Sequence, residues 1–288
     1  MTHIKDYIQS KLPDAKDLTR FTGLFTGIAD LDQRGFTLNP GEITLVAARP
    51  SMGCTALLTH IALRCGIQQS AQTAFFSLDL PIKLLTARMV SAMAGVPYWQ
   101  AVSAEISADA EKALNDAFQE LLSAKLYIDD RKIITVQEIR EACAAINRTA
   151  GLDLLIIDAF PLVKHERNKK GVEQLMEGLR AICTDLNIPV VITAWLDKLV
   201  EKRAGHRPTI YDLGRYEALV NIVDNIILMF REVYYKPETK NPDLCELILA
   251  KAKEHPHLTA LTNFISKTGK FGNILPLSEP KKEIGLHG

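Results

Sequence analysis

Short runs of apolar residues alternate with longer amphipathic segments through most of this chain. Apolar runs typical of strands occupy residues 43–48, 73–78, 125–129, 153–158, 189–194 and 225–230. Patterns with apolar residues at helical spacing separate most of them, at about 54–68, 82–94, 107–123, 136–149 and 171–186. This alternation predicts an α/β fold, in which a mostly parallel twisted sheet carries helices on both faces.

The remaining segments set the expected domain limits. Two more apolar runs, at 244–250 and 258–266, predict strands that form an antiparallel edge of the sheet. We expect residues 21–275 to form one domain. Residues 1–20 are polar and mixed, which predicts an N-terminal arm or a short linker helix, and residues 276–288 predict a flexible tail.

Composition narrows the class of protein without identifying it. The 288 residues carry 34 basic and 34 acidic side chains, so any contact with nucleic acid must come from local basic loops rather than from overall charge. Five scattered cysteines without metal-ligand spacing indicate reduced thiols and a cytoplasmic protein. We find no signal peptide and no apolar run of membrane-spanning length, and expect no membrane association.

The loop after the first predicted strand resembles a phosphate-binding loop without its lysine. Residues 48–55 read Ala-Arg-Pro-Ser-Met-Gly-Cys-Thr, whereas the Walker A pattern places a lysine between the glycine and the serine or threonine. Gly53 allows the backbone to approach phosphate, and the start of the next helix favours an anion. Cys54 cannot supply the missing positive charge, although a helix N-terminus could instead make it a reactive thiol. The candidate phosphate-binding residues are Arg49, Ser51, Gly53, Cys54 and Thr55.

A carboxylate at the end of another strand fits the same site. Asp158 ends the apolar run 153–158, the Walker B position, where an aspartate coordinates Mg²⁺ directly or through water. Thr55 has the hydroxyl that usually completes such a site. The alternative is an aspartate that only terminates a strand. The two motifs together predict a site for ATP and Mg²⁺ in which binding is weak or absent because the loop lysine is missing.

Several ordered segments resemble one known family. They are Thr26-Gly27, residues 30–32, 46–53, 76–81, 127–130, 155–158 and 188–191. Over about residues 21–275, the chain resembles the C-terminal motor domain of the DnaB replicative DNA helicases, which implies a RecA-like P-loop NTPase fold.

The resemblance also marks departures at positions that serve hydrolysis. Asp79 stands where the family has a glutamate base; its shorter side chain would misplace the attacking water, or it could instead cap the helix that opens at Pro81. Ala194-Trp195 stands where a serine and a γ-phosphate-sensing glutamine are found.

Two lysines stand in the segment where the family carries a finger residue that acts on a neighbouring subunit. Lys253 replaces the arginine finger and lacks the forked geometry of a guanidinium. Lys251 matches a family lysine and could reach a neighbouring nucleotide. Together with the missing loop lysine, these changes predict impaired ATP hydrolysis.

Two basic loops follow strand ends that face the central channel of the family's hexameric ring. The first contains Lys164, Arg167, Lys169 and Lys170, and the second contains Lys198, Lys202, Arg203 and Arg207. Phosphate contact requires such donors, although solvated surface loops are an equally good interpretation.

The resemblance therefore implies a protein connected with DNA replication that acts as a DNA- or replisome-binding module. Its expected partners are single-stranded DNA, replication proteins and further copies of itself. We expect a less secure ring than in the family, since about twenty residues precede the motor domain. The alternatives are an active ATP-dependent DNA helicase with a compensated phosphate loop, and a regulatory RecA-type ATPase without a DNA role.

Overall fold

A single nine-stranded sheet organises the chain in the computed structural model, which describes residues 23–103, 105–253 and 255–274. The predicted arm at 1–20 and tail at 276–288 lie outside these residues. The strands are β1 (Ile43–Ala48), β2 (Thr73–Ser77), β3 (Leu126–Asp129), β4 (Leu154–Asp158), β5 (Val190–Trp195), β6 (Asn225–Phe230), β7 (Leu244–Lys251), β8 (Leu258–Ile265) and β9 (Lys270–Gly272). Their order across the sheet is β3-β2-β4-β5-β1-β6-β7-β8-β9.

The first six strands pair in parallel, and the last three continue the sheet in antiparallel pairs. The prediction of a mostly parallel sheet with an antiparallel edge is therefore confirmed. The sequence analysis missed β9, which is three residues long and lies at the edge.

The helices between the strands are α1 (Ala29–Gln33), α2 (Cys54–Leu63), α3 (Ile82–Ala94), α4 (Tyr98–Ala101), α5 (Ala108–Leu121), α6 (Val136–Ala150), α7 (Lys169–Asp185) and α8 (Leu219–Ile222). Side chains fix several of their starts. Thr135 and Glu138 form a reciprocal capping box at α6, and the Asn168 side chain accepts the Gly171 N–H at 2.7 Å. This cap explains why α7 begins two residues before the predicted segment.

Alternate residues of each central strand enter different halves of the core. In β1, Leu45 and Ala47 face the layer that contains α6 and α7, whereas Val46 and Ala48 face the layer that contains α2 and α3. The strands are apolar throughout because both faces are covered. None of the helices within the described residues has the length and apolar content that a membrane span requires.

Candidate functional site

The loop between β1 and α2 has the backbone shape of a phosphate cradle. Ser51 and Gly53 both have positive φ, of 67° and 109°. A Cβ at Gly53 would lie 3.0 Å from the Phe264 ring and 3.2 Å from Met229 Cε, so only glycine fits there without displacing its neighbours. The loop thus directs the first amides of α2 into a cleft of about 730 Å³ at the carboxyl ends of the parallel strands.

Asp158 lies in this cleft with half of its carboxylate unpartnered. Its Oδ1 accepts a hydrogen bond from Thr193 Oγ1 at 2.6 Å, across the β4–β5 pair. Its Oδ2 is buried and has no partner within the described residues. Burial raises the pKa of Asp158, and the Thr193 and Thr55 hydroxyls only partly oppose this effect. The site therefore presents a carboxylate oxygen to which nothing in the described chain donates.

These oxygens suit Mg²⁺ better than a metal held by the protein alone. Across the described ranges, no group of three or more His, Cys, Asp or Glu side chains could hold a metal ion. Mg²⁺ is usually bound by one or two protein oxygens, with phosphates and water as its other ligands. The unpartnered Oδ2 of Asp158 and the Thr55 hydroxyl fit that donor set.

Cys54 is the first residue of α2, where the Walker A pattern has its lysine. Burial raises the pKa of its thiol, and the nearby Asp158 acts in the same direction. A thiol with a raised pKa is protonated and a poor nucleophile. This argues against a reactive thiol and leaves a small neutral side chain at the phosphate loop.

Asp79 lies exposed at the edge of the cleft, and its backbone is held in place by a lysine. Lys132 Nζ donates to the carbonyl oxygens of Leu78 and Asp79, at 3.2 and 3.0 Å. The capping alternative is wrong, because the Ile82 N–H that opens α3 donates to Asp130 Oδ2 at 2.8 Å. Asp79 remains a candidate base.

The loop residues before Gly53 have different environments. Arg49 is half-buried and already engaged: its Nε donates to Glu201 at 2.9 Å and its Nη1 to the Leu196 carbonyl at 2.8 Å. Ser51 is exposed at the loop tip. Trp195, at the end of β5, lines the cleft with 38% of its surface exposed, and its ring cannot replace a phosphate-sensing amide.

Lys251 and Lys253 lie at the opposite end of the sheet from this cleft. Lys251 is paired with Ile226 at the start of β6, and its Nζ donates to the carbonyls of Val220 and Val223. Burial lowers the pKa of Lys251. Lys253 Nζ is exposed, 3.8 Å from a Glu42 oxygen. Neither lysine contacts the cleft of its own chain, and their action on a neighbouring copy stays a prediction.

The two basic loops differ in how free their cations are. Arg203 makes a two-point contact with the buried Asp212, at 2.8 and 2.5 Å, and Arg207 pairs with Glu246. Both arginines therefore have intramolecular partners that nucleic acid would have to displace. Six lysines and arginines are exposed, namely Lys164, Arg167, Lys169, Lys170, Lys198 and Lys202. These six are the better candidates for a nucleic-acid contact.

Residues that the sequence analysis did not assign also line the cleft. Arg231, Lys267, Tyr98 and Trp99 come from the end of β6, the β8–β9 turn and α4. Arg231 directly follows the apolar run of β6, so the rule that ligands gather at strand carboxyl ends would have found it. No comparable signal marks Lys267, because its turn reaches the cleft only through the antiparallel extension of the sheet.

Known proteins share both the sequence pattern and the fold. Residues 23–273 match the family model described as the DnaB-like helicase C terminal domain. The replicative DNA helicase DnaB of Geobacillus stearothermophilus is 28% identical over 258 residues, which cover 88% of this chain and 57% of that protein. The replicative DNA helicase DnaC of Bacillus subtilis shows the same identity and coverage. The chain thus spans little more than half the length of these relatives.

Two solved structures show the same architecture. An ATPase domain superposes with a TM-score of 0.84 at 23% identity, covering 94% of this chain and 96% of that chain. A DnaB-like replicative helicase, described with its interactions with primase, gives a TM-score of 0.86 at 22% identity, covering 96% of this chain and 68% of that one. These structures show the RecA-like ATPase fold. With the family model matching most of its length, the chain belongs to the DnaB-like helicase C-terminal domain family.

Proposed function

We propose that this protein is a nucleotide-binding module of DNA replication that binds ATP with Mg²⁺ but hydrolyses it slowly. One observation carries the proposal: the cradle retains its shape at Gly53 and its metal-type oxygen at Asp158, while the lysine position holds a buried neutral thiol. A preserved cradle supports binding, and the missing cation argues against fast phosphoryl transfer.

The residues of the cleft divide the binding work between them. The first amides of α2 donate to phosphate oxygens, and the Thr55 hydroxyl and Asp158 carboxylate would hold Mg²⁺, which neutralises phosphate charge when bound. Arg49 fixes the loop to the segment after β5 rather than contacting phosphate directly.

Slow hydrolysis follows from the groups that would handle the attacking water. Asp79 is one methylene shorter than a glutamate, and a misplacement of about 1 Å can reduce rates about a hundredfold. Trp195 offers an indole where an amide would sense the γ-phosphate. Neither group can restore what the other lacks.

The DNA role is supported by the exposed lysines and by the relatives. Lys164, Lys198 and Lys202 follow the ends of the adjacent strands β4 and β5, where the cations of both loops can contact one phosphate backbone. The matching relatives are named replicative DNA helicases, and one solved neighbour is described with primase. We therefore propose single-stranded DNA and replication proteins as partners, and further copies of this chain as neighbours.

A second candidate is an active ATP-dependent helicase whose loop cation is supplied elsewhere in the cleft. The presence of Arg231 and Lys267 along the cleft wall favours it.

ATP binding and turnover distinguish these functions. ATP affinity should be measured with and without Mg²⁺, and hydrolysis with and without single-stranded DNA. The proposal expects Mg²⁺-dependent binding, lost in Asp158→Ala, with turnover near background. Brisk DNA-stimulated turnover that disappears in Asp158→Ala would replace it with the second candidate. Absence of any ATP binding would refute both. Particle size, measured with and without nucleotide, tests self-association.

A further inference from the structure

Arg231 is a buried cation that borders the cleft and touches the same aromatic ring as the phosphate loop. It directly follows β6 and is 7% exposed. Its guanidinium carbon lies 4.6 Å from the centre of the Phe264 ring. The edge of that ring is the surface that a Cβ on Gly53 would meet at 3.0 Å. One ring thus separates the guanidinium from the loop.

The charge of Arg231 has no anionic partner among the residues that the structure describes. No carboxylate there forms an ion pair with it, and its buried Nε has no hydrogen-bond partner. The contact with Phe264 uses the face of the guanidinium and leaves its N–H donors, which lie in the plane, unused. Burial lowers the pKa of Arg231, with Cys245 and the exposed Asp243 partly opposing, yet an arginine stays protonated.

An unpaired buried charge destabilises a fold unless a ligand pairs with it. The other cations along the cleft differ from Arg231 in this respect. Arg49 already has two partners, and Arg88 and Lys267 are exposed to solvent. Solvent satisfies an exposed cation, so neither of these needs an anion. Arg231 alone among these four combines burial, unused donors and a position on the cleft wall.

We infer that Arg231 binds the polyphosphate of the nucleotide, supplying from the end of β6 the positive charge that the loop lacks at Cys54. The inference rests on the proposed function, since it requires that the cleft bind a nucleoside triphosphate. Its forked donors suit two phosphate oxygens at once, as a lysine would not. The ligand class is therefore a nucleoside di- or triphosphate, discriminated from a monophosphate by this contact.

The test compares Arg231→Met with two matched variants. Arg231→Lys keeps the charge without the fork. Lys236→Met removes one positive charge from a surface pair with Glu232, away from the cleft lining. Affinities for ATP, AMP and inorganic tripolyphosphate are measured with Mg²⁺, and Tm is measured without ligand.

We expect Arg231→Met to weaken ATP and tripolyphosphate binding about tenfold to a hundredfold, because a hydrogen bond to a charged group is lost. AMP binding should change less than ATP binding, Arg231→Lys should fall between, and Lys236→Met should bind ATP like the unaltered chain. The Tm of ligand-free Arg231→Met should be equal or higher, since an unpaired charge is removed.

Three results would overturn the inference. ATP affinity unchanged in Arg231→Met, equal losses for ATP and AMP, or a lowered Tm with lost binding would each assign Arg231 a structural role. If the unaltered chain binds no ATP, the proposed function fails with it. If the unaltered chain binds ATP and Arg231→Met binds it equally well, only this inference fails.

Discussion

Replacing Cys54 with lysine tests whether the cradle has kept its shape. Residue 54 begins α2, next to the glycine that turns the loop into the cleft. The buried Oδ2 of Asp158 lies without a partner in the same cleft, and the Asp158 charge already raises the pKa of the Cys54 thiol. An ammonium introduced here would therefore meet two negative groups, the carboxylate and the phosphates of a bound nucleotide.

The expected gain follows from these two partners. A hydrogen bond to a charged group contributes about 1.5–3 kcal/mol, equivalent to roughly tenfold to 150-fold in dissociation constant. Asp158 competes for the ammonium in the ligand-free protein, so we expect the lower value, about tenfold tighter ATP binding. Turnover should rise little, because Asp79 and Trp195 are unchanged.

The same substitution should change how stability depends on pH. The raised pKa of Asp158 means that its contribution is fully favourable below the unfolded pKa of about 3.9 and is lost as pH rises through the folded pKa. An adjacent ammonium would lower that pKa. We therefore expect Cys54→Lys to have a higher Tm at neutral pH and a smaller loss of stability on leaving acid.

The assay needs a control for side-chain bulk. Cys54→Met lengthens the side chain without adding charge, and both variants are titrated with a fluorescent ATP analogue and with Mg²⁺. Tighter binding only in the lysine variant supports a preserved cradle. Equal affinities of two folded variants would refute the reasoning, because a lysine in a working cradle must contact phosphate. In the lysine variant, the additional change Arg231→Met should also reduce ATP affinity less than it does alone.

Three further substitutions test separate parts of the molecule. Gly53→Ala places a Cβ 3.0 Å from Phe264 at φ 109°, so we expect about 1–3 kcal/mol lower stability by denaturant unfolding and lost ATP binding; an unaltered midpoint would contradict the loop geometry. Arg203→Met leaves the buried Asp212 without its forked partner, and should cost about 2 kcal/mol, since the arginine is 40% exposed. Burial raises the pKa of Asp212 but Arg203 and Thr209 outweigh it, so this difference should vanish as pH falls below about 4 in urea titrations; a pH-independent difference would count against the ion pair. Lys202→Met should reduce the salt slope of single-stranded DNA binding by about 0.7, whereas Arg203→Met should not; equal slopes would point to a surface without DNA contact.

Much of the fold could be predicted because the central strands are buried on both faces. Continuous apolar runs are then required, and those at 43–48 and 225–230 coincide with β1 and β6. The helix ends were less predictable, since they depend on side-chain caps such as Asn168, and Asp130 rather than Asp79 bonds the first amide of α3. The three-residue β9 carries too short a pattern to be read before its partner β8 is in place.

The sequence by itself determined the elements, the loop with its missing lysine, and the aspartate at the end of β4, because each depends on residues close together in the chain. Only the tertiary structure decided which cations are available. Arg207 meets Glu246, and Lys251 meets the carbonyl of Val220, across separations that only the assembled sheet closes. The same packing buries Arg231 beside the cleft without a partner. A charge has a predictable sign in the sequence, but its solvation and its partners are set by the fold.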